Sequence, residues 1–236
     1  MRYRFCFYYL LATVFLFSCK KNTLFENISS SHSGVTFNNL IVENDTINPL
    51  DKLNIYNGGG VGVGDFNGDG LQDIYFAGNA VPNKLYINEA DMKFKDVTAE
   101  AGVGGKGGWG RGVSVVDINN DGWPDIYVCN TLLSDSAKRL NLLYINQGPD
   151  KNGVPHFKEM AKEYGLNINL YSTMASFFDY DNDGDLDMYL AVNDAESTDN
   201  VSLFKPIIKD GTGHSTGHLY RNDWDAVLKH PVFHDV

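Results

Sequence analysis

The chain has 236 residues, of which 43% are apolar and 21% are charged, and its formal net charge is −11 at pH 7. This length suits one large domain or two ordinary ones, and the apolar fraction excludes a disordered chain. The excess of negative charge argues against nucleic acid as a partner, because binding to phosphates requires a surplus of cations. Aromatic residues (13%) and Gly (24 residues) favour strands and tight turns, so an all-β fold is expected.

The first element in the chain is a predicted export signal. Arg2 and Arg4 precede an apolar run of 13 residues, Phe5 to Phe17, which is too short to span about 30 Å of hydrocarbon as a helix. The segment Leu16-Phe17-Ser18-Cys19 at the end of this run resembles the bacterial lipobox. An ordinary signal peptide that is cut nearby and a buried N-terminal helix are the alternatives.

The lipobox resemblance implies a lipoprotein. Residues 1–18 are then the signal peptide, Cys19 carries the lipid, and residues 19–24 form a tether. The protein is expected to be exported and held in the cell envelope through this anchor alone. Lys20 stands where an acidic residue serves as an inner-membrane retention signal in some bacteria, which favours the outer membrane.

The body of the chain repeats one order of signals three times. Each unit opens on a Phe, continues through an acidic loop and a short strand-like run, and closes on Leu-Tyr-x-Asn. Units start at Phe25, Phe94 and Phe157, and Phe233 begins a fourth, which gives periods of 69, 63 and 76 residues. Four apolar runs of strand length in each unit predict a four-stranded antiparallel sheet. The predicted repeats are 25–93, 94–156 and 157–232, followed by a truncated start at 233–236.

Units of this length with four strands are typical of β-propeller blades, which bury both faces of a sheet by stacking around an axis. Closure of such a ring usually takes about 4–8 blades. We therefore expect a partial β-propeller that forms the front part of a longer protein. An oligomeric ring and an open solenoid are the alternatives.

The acidic loops read DFNGDGLQD, DINNDGWPD and DYDNDGDLD, and they begin at Asp65, Asp117 and Asp179. Oxygen-bearing side chains stand at positions 1, 3, 5 and 9 and Gly stands at position 6, where a positive φ can turn the carbonyl of position 7 toward the loop centre. These 27 residues hold 11 Asp and no Lys or Arg, so the carboxylates repel one another unless a cation offsets them. Oxygen ligands without His or Cys favour Ca²⁺. A single loop of this kind could be a plain surface turn, but three equivalent copies favour metal loops.

An EF-hand is excluded because its position 12 should be a Glu and its flanks should be helices. Position 12 is Phe76, Val128 or Leu190, inside a strand pattern. The segments resemble instead the FG-GAP or VCBS repeats of integrin α-subunits and of bacterial exported lipoproteins, some of which carry an ASPIC/UnbV-type region further along the chain. The resemblance covers about Phe25 to the end. It implies calcium ligands at Asp65, Asn67, Asp69 and Asp73; at Asp117, Asn119, Asp121 and Asp125; at Asp179, Asp181, Asp183 and Asp187; and at the main-chain oxygens of Leu71, Trp123 and Asp185.

Catalytic patterns are weak in this sequence. Cys129 takes the slot of Ala77 and Ala191, which is typical of a small packed side chain rather than a nucleophile. The GxGxxG letters at 105–110 precede a predicted strand, whereas a dinucleotide site needs a strand before them. His214 and His218 have the spacing of zinc ligands on a helix, but the glycines around them break any helix. The favoured function is therefore a calcium-binding module that presents an adhesion or binding surface to a glycan or a protein. A larger envelope hydrolase with this propeller at its N-terminal part is the alternative.

One type of connection grows from unit to unit. The distance from the first Asp of the loop to the closing Tyr is 21, 27 and 41 residues. The excess falls at 131–140 and 193–217, and equivalent connections of successive blades emerge on one face. We predict that these segments enlarge a recognition face; tolerated surface insertions are the alternative.

Overall fold

The computed structural model describes residues 23–52, 54–193, 208–213 and 215–236. The predicted signal peptide, the lipidation site Cys19, most of the longest connection (194–207) and His214 lie outside the described residues. Among the residues described, no helix is both long and apolar enough to cross a bilayer.

The described residues form three four-stranded antiparallel sheets, so the predicted all-β, partial-propeller fold is confirmed. Sheet 1 holds β1 (Val61–Gly64), β2 (Asp73–Phe76), β3 (Lys84–Asn88) and β4 (Phe94–Asp96). Sheet 2 holds β5 (Gly110–Val116), β6 (Asp125–Asn130), β7 (Leu142–Pro149) and β8 (Pro155–Glu159). Sheet 3 holds β9 (Ser172–Phe178), β10 (Asp187–Val192), β11 (His218–Asp225) and β12 (His230–Asp235). The described residues also include two single-turn helices: α1 (Ser30–Ser33) precedes β1, and α2 (Thr98–Ala101) lies in the connection between β4 and β5.

Each sheet takes its fourth strand from the segment that opens the next repeat unit of the sequence. Phe94, Phe157 and Phe233 lie in β4, β8 and β12, which pair with the third strand of the preceding unit. The corresponding segment of the first unit, 25–29, forms no strand, and Phe25 is exposed. The sheets therefore span 61–96, 110–159 and 172–235, one strand later than the repeat units. A period fixes the length of a unit but not the strand at which a sheet begins, which depends on pairing in space.

The hydrophobic cores lie between the sheets. Because side chains alternate along a strand, β6 sends Ile126 and Val128 into the core shared with sheet 1, and Tyr127 and Cys129 into the core shared with sheet 3. All four side chains are almost completely buried. Sheet 2 is thus covered on both faces, as expected for a propeller blade.

The first strands of successive sheets approach one another closely, as the contacts of β5 with both β1 and β9 show. Gly62 in β1 is needed for this approach, since a Cβ there would come within 2.7 Å of Cγ1 of Val113. Part of the high glycine content of the chain thus allows the backbone of one sheet to approach side chains of the next.

The outer face of sheet 3 is open in the described structure. Tyr75 and Tyr127 occupy equivalent positions in sheets 1 and 2 and are 0% exposed, whereas Tyr189 in sheet 3 is 44% exposed. Each of the first two tyrosines is covered by the following sheet and donates a hydrogen bond from its hydroxyl to a main-chain carbonyl of the connection that leads to that sheet, at 3.0 Å in both cases. Sheet 3 therefore presents the type of face that sheets 1 and 2 bury.

Candidate metal centre

The three acidic loops lie at the same end of the three sheets. Each joins the first strand of a sheet to the second: β1 to β2, β5 to β6, and β9 to β10. Since neighbouring strands are antiparallel, the connections between second and third strands emerge at the opposite end. The structure therefore places 11 aspartates along one edge of the molecule.

The first aspartate of each loop closes the loop on its own backbone. Asp65, Asp117 and Asp179 each accept a hydrogen bond from the N–H of the glycine at position 6, at 2.8, 2.8 and 3.2 Å. Their second carboxylate oxygen accepts an N–H from position 4 or 5, at 2.6 to 3.1 Å. The position-6 glycines have the positive φ that the spacing predicts: 88° at Gly70, 91° at Gly122 and 98° at Gly184.

Position 4 is a second left-handed residue that the sequence analysis missed. Gly68, Asn120 and Asn182 have φ values of 73°, 56° and 63°. Gly and Asn are the residue types that adopt this region most readily, so the recurrence of Gly or Asn at position 4 was the available signal. Two left-handed residues in six let the loop turn sharply enough for its oxygens to converge.

The last aspartate of each loop is buried and ties the loop to its sheet. Asp73, Asp125 and Asp187 are at most 1% exposed. One oxygen of each accepts the N–H of loop position 2, at 2.9, 3.0 and 3.0 Å, and the other accepts an N–H from the third strand, at 2.8, 2.7 and 2.8 Å. Burial, opposed in part by these N–H groups, raises the pKa of Asp73 to about 6 and that of Asp125 to about 7.

An asparagine on the third strand completes this attachment, and the sequence analysis assigned it no role. The side-chain amides of Asn88, Asn146 and Asn222 donate to the carbonyl of loop position 8, at 2.9, 3.1 and 3.1 Å. The recurring Leu-Tyr-x-Asn ending carried the signal. A polar residue that recurs at a fixed place in a buried strand needs a hydrogen-bond partner. The loop is thus held by its last aspartate and by this asparagine together.

Position 3 divides the loops into two kinds. In the first two loops the amide of Asn67 or Asn119 donates to the carboxylate at position 5, at 3.0 and 2.8 Å. The third loop has Asp181 instead, whose carboxylate cannot donate. Desolvation and the neighbouring charge of Asp183 raise the pKa of Asp181, and the same two causes raise the pKa of Asp185 to about 6. The third loop therefore has the greatest excess of unbalanced negative charge.

The third loop also has the geometry of a cation site. Ligand oxygens of Asp179, Asp181 and Asp187 lie within 4.8 Å of one another, the only group of three such ligands in the described part of the chain. Oxygens that bind one Ca²⁺ at about 2.3–2.6 Å are at most about 5 Å apart, so this set fits the ion. One carboxylate oxygen of Asp185, next to this set in the loop, is buried and has no hydrogen-bond partner. The donor set therefore suits Ca²⁺. Asp183, the predicted ligand at position 5, lies in the same loop between Asp181 and Asp187.

The first two loops have their predicted side-chain ligands at the same positions as the third loop, but fewer of these ligands are carboxylates. The predicted side-chain ligands Asp69 and Asp121 each use one carboxylate oxygen to accept the N–H of position 7, at 2.8 and 2.9 Å. The main-chain oxygens of Leu71, Trp123 and Asp185 stay predicted ligands. Asn at position 3 and an apolar residue at position 7 separate these loops from the third, which has Asp181 and Asp185 at those positions.

The loops also contact the neighbouring sheet. The amide of Asn67 donates to the carbonyl of Gly153 in the β7–β8 hairpin, at 3.2 Å. Asn146 donates to the carbonyl of Phe66 at 2.9 Å, and the ring of Trp123 lies so close to Gly68 that a Cβ there would be 2.8 Å away. The conformation of the first loop is thus coupled to the packing of sheet 1 on sheet 2.

The surroundings of Cys129 and of the GxGxxG segment do not fit a nucleophile or a dinucleotide site. Cys129 is buried, and burial raises the pKa of its thiol, which keeps it protonated. The 105–110 segment follows α2 and leads into β5, the reverse of the strand-to-helix order of a dinucleotide site.

Asp181→Asn tests the role assigned to position 3, because it gives the third loop the Asn that the first two loops have at that position. We expect the variant to melt higher than the wild type in chelator, since one repelling carboxylate is gone and an amide donor is gained. It should also bind Ca²⁺ more weakly. Calorimetric titration and melting curves measure both effects, and a variant that is less stable than the wild type in chelator would contradict the assignment.

Comparison with known proteins agrees with the loop geometry. Residues 65–128 match the sequence model of the FG-GAP-like repeat. Cartilage acidic protein 1 of Xenopus tropicalis is 32% identical over 139 residues, which are 58% of this chain and 20% of that protein. The human protein of the same name is 29% identical over 157 residues, which are 66% of this chain and 22% of that protein. The chain spans about a fifth of the length of these curated relatives. The match to the FG-GAP-like repeat thus runs from the first acidic loop through the second.

Proposed function

We propose that this chain is a calcium-binding propeller module of an exported lipoprotein and that it presents a binding surface to a glycan or a protein. The observation that carries the proposal is the convergence of Asp179, Asp181 and Asp187 within 4.8 Å in a loop whose fold recurs in all three sheets. The FG-GAP-like match and the extra charge of the third loop support it. The open face of sheet 3 supports a larger propeller, of which these three sheets are a part.

The role of calcium in this proposal is structural. A bound ion supplies positive charge that offsets the clustered aspartates. Asp179, Asp181, Asp183 and Asp187 would hold it in the third loop, together with the main-chain oxygen of Asp185. The first aspartate of each loop already orders the backbone, and the last one fixes the loop to the sheet. Calcium would thereby stabilise both the loop and the sheet contact that the loop makes.

The lipoprotein part of the proposal is tested at Cys19. If this residue is acylated, the protein partitions with membranes into detergent, and Cys19→Ser abolishes lipid labelling and leaves an unprocessed precursor. Metabolic labelling with a fatty acid, followed by fractionation, measures both. Cys19→Ser protein that is still labelled and processed would contradict the proposal, as would unlabelled wild type in the soluble fraction.

The binding part of the proposal concerns the end of the sheets opposite the acidic loops, where the long connections emerge. The wild type, in millimolar Ca²⁺, is first screened on arrays of glycans and proteins. Shortening 193–217 to the length of the matching connection of sheet 1 should weaken binding to the hits. It should leave the calcium-dependent melting temperature nearly unchanged, because the acidic loops lie at the other end. Unchanged binding by the shortened variant would contradict the proposal, and loss of its calcium-dependent folding would show that the segment is structural.

A further inference from the structure

A pocket with a concentration of lysines opens at the end of the sheets opposite the acidic loops. Its volume is about 220 Å³, and it lies beside the β6–β7 connection, which is the described one of the two long connections. Lys106, Lys138 and Lys162 line it. They come from three different connections, β4–β5, β6–β7 and β8–β9, so the fold rather than the local sequence brings them together.

The pocket has a net positive charge in a strongly acidic protein. Lys106 is paired with Glu159, which also lines the pocket. Lys138 and Lys162 form no ion pair with any residue that the structure describes. Three lysines and one glutamate leave a formal charge of +2, where the whole chain has −11.

The acidic loops are too distant to cancel this charge. Asp125 and Asn130 are the two ends of β6, and Asp125 belongs to an acidic loop while Asn130 lines the pocket. Five residues of strand separate them by about 17 Å, at about 3.3 Å per residue. Charges are largely screened beyond about 8 Å at physiological ionic strength. The pocket therefore attracts anions in spite of the net charge of the protein.

The uncharged lining has both aliphatic and hydrogen-bonding groups. Leu140, Leu142 and Ala137 supply aliphatic surface. The amide nitrogen of Asn130 donates to the carbonyl of Leu140 at 2.6 Å, which fixes the side chain and leaves its oxygen as an acceptor. Asn167 forms no hydrogen bond with the described residues, so its amide can donate and accept. A ligand that suits this lining has a carboxylate for the lysines, hydroxyl groups for the two asparagines, and a C–H face for the leucines.

We propose that this pocket binds a hexuronate, a sugar ring with a carboxylate, as one residue of an acidic glycan. The inference rests on the proposed function, because a glycan is one of the two ligand classes given there, and it names the class and the site. The carboxylate pairs with Lys138 and Lys162, and the hydroxyls bond to Asn130 and Asn167. Such a ligand supplies the negative charge that Lys138 and Lys162, unlike Lys106, do not find in the described protein.

The test titrates glucuronate and galacturonate into the full chain in detergent and millimolar Ca²⁺, with ligand-observed NMR or calorimetry as the readout. Glucose, acetate and a glutamate-containing peptide are the comparison ligands. We expect the uronates to bind more tightly than all three. Lys138→Ala and Lys162→Ala should each weaken uronate binding about two- to fivefold, the usual range for an exposed ion pair, and together about tenfold. Lys151→Ala is the matched control, since that lysine is exposed in the β7–β8 hairpin at the opposite end.

Every other outcome overturns the inference in a distinct way. If glucose binds as tightly as the uronates, the carboxylate is not recognised. If acetate binds as tightly as the uronates, the sugar ring is not recognised. Tighter binding of the peptide assigns the pocket to a protein ligand. Uronate binding that survives the double lysine variant places the site elsewhere, and absence of uronate binding excludes the ligand class. In these cases calcium-dependent melting and array hits still report on the proposed function independently.

Discussion

Removal of calcium is expected to lower the melting temperature by on the order of 5–10 °C for each occupied loop. Affinities of extracellular calcium modules are about 10⁻⁴–10⁻³ M, so ion at a hundredfold excess over a 10⁻⁴ M dissociation constant stabilises the folded state by about 2.7 kcal/mol per site. A domain of this size shifts by about 2–4 °C for each kcal/mol. Melting curves in chelator and in about 10 mM Ca²⁺ measure the effect directly.

Single-site variants separate calcium binding from general destabilisation. Asp179→Ala should reduce the response of the melting temperature to Ca²⁺, because the variant loses a ligand of the third loop. Asp45→Ala, at an exposed aspartate outside the acidic loops, is the matched control and should respond as the wild type does. Identical melting curves in chelator and in calcium would refute a stabilising ion in any of the three loops.

The local parts of this structure could be predicted from the sequence because they depend on neighbours in the chain. The position-6 glycine and the first aspartate of each loop are five residues apart, and their hydrogen bond is intrinsic to the turn. The strand after each loop follows at once, as its alternating apolar residues predict. Threefold repetition strengthened each of these predictions, since a single loop would have been ambiguous.

The parts that could not be predicted depend on pairing between distant segments. The strand at Phe94 could open one sheet or close another, and only its register with β3 shows that it closes sheet 1. Likewise, the sequence predicts Asp125 as a calcium ligand, but not that it is buried and accepts the N–H of Asn146, 21 residues away. The convergence of Lys106, Lys138 and Lys162 is another such case, because no spacing in the sequence relates three separate connections.

Asp125→Ala is expected to be more destabilising than Asp117→Ala, even in chelator. The carboxylate is 0% exposed and accepts the N–H groups of Ile118 and Asn146. Its loss leaves two buried donors without partners, at about 1–3 kcal/mol each. Asp117→Ala removes a carboxylate from an exposed loop and should cost less. Denaturant unfolding in chelator measures these differences without a contribution from calcium, and equal costs for the two variants would contradict the anchoring role of Asp125.

Asp125→Asn adds a test of the charge itself. An amide has one oxygen for the two N–H donors, so this variant should lie between the wild type and Asp125→Ala. Burial raises the pKa of Asp125 to about 7, above its value of 3.8 in the unfolded chain. Between these two pKa values the folded, ion-free protein therefore binds one proton more than the unfolded chain does. The stability that this carboxyl contributes in chelator is then complete at low pH and is lost as the pH rises through about 7. The wild type should therefore lose more stability than Asp125→Asn between about pH 5 and pH 8, the window in which this carboxyl ionises. Parallel pH profiles for the two proteins would show that Asp125 does not titrate there, and that the loop tolerates its charge without an ion.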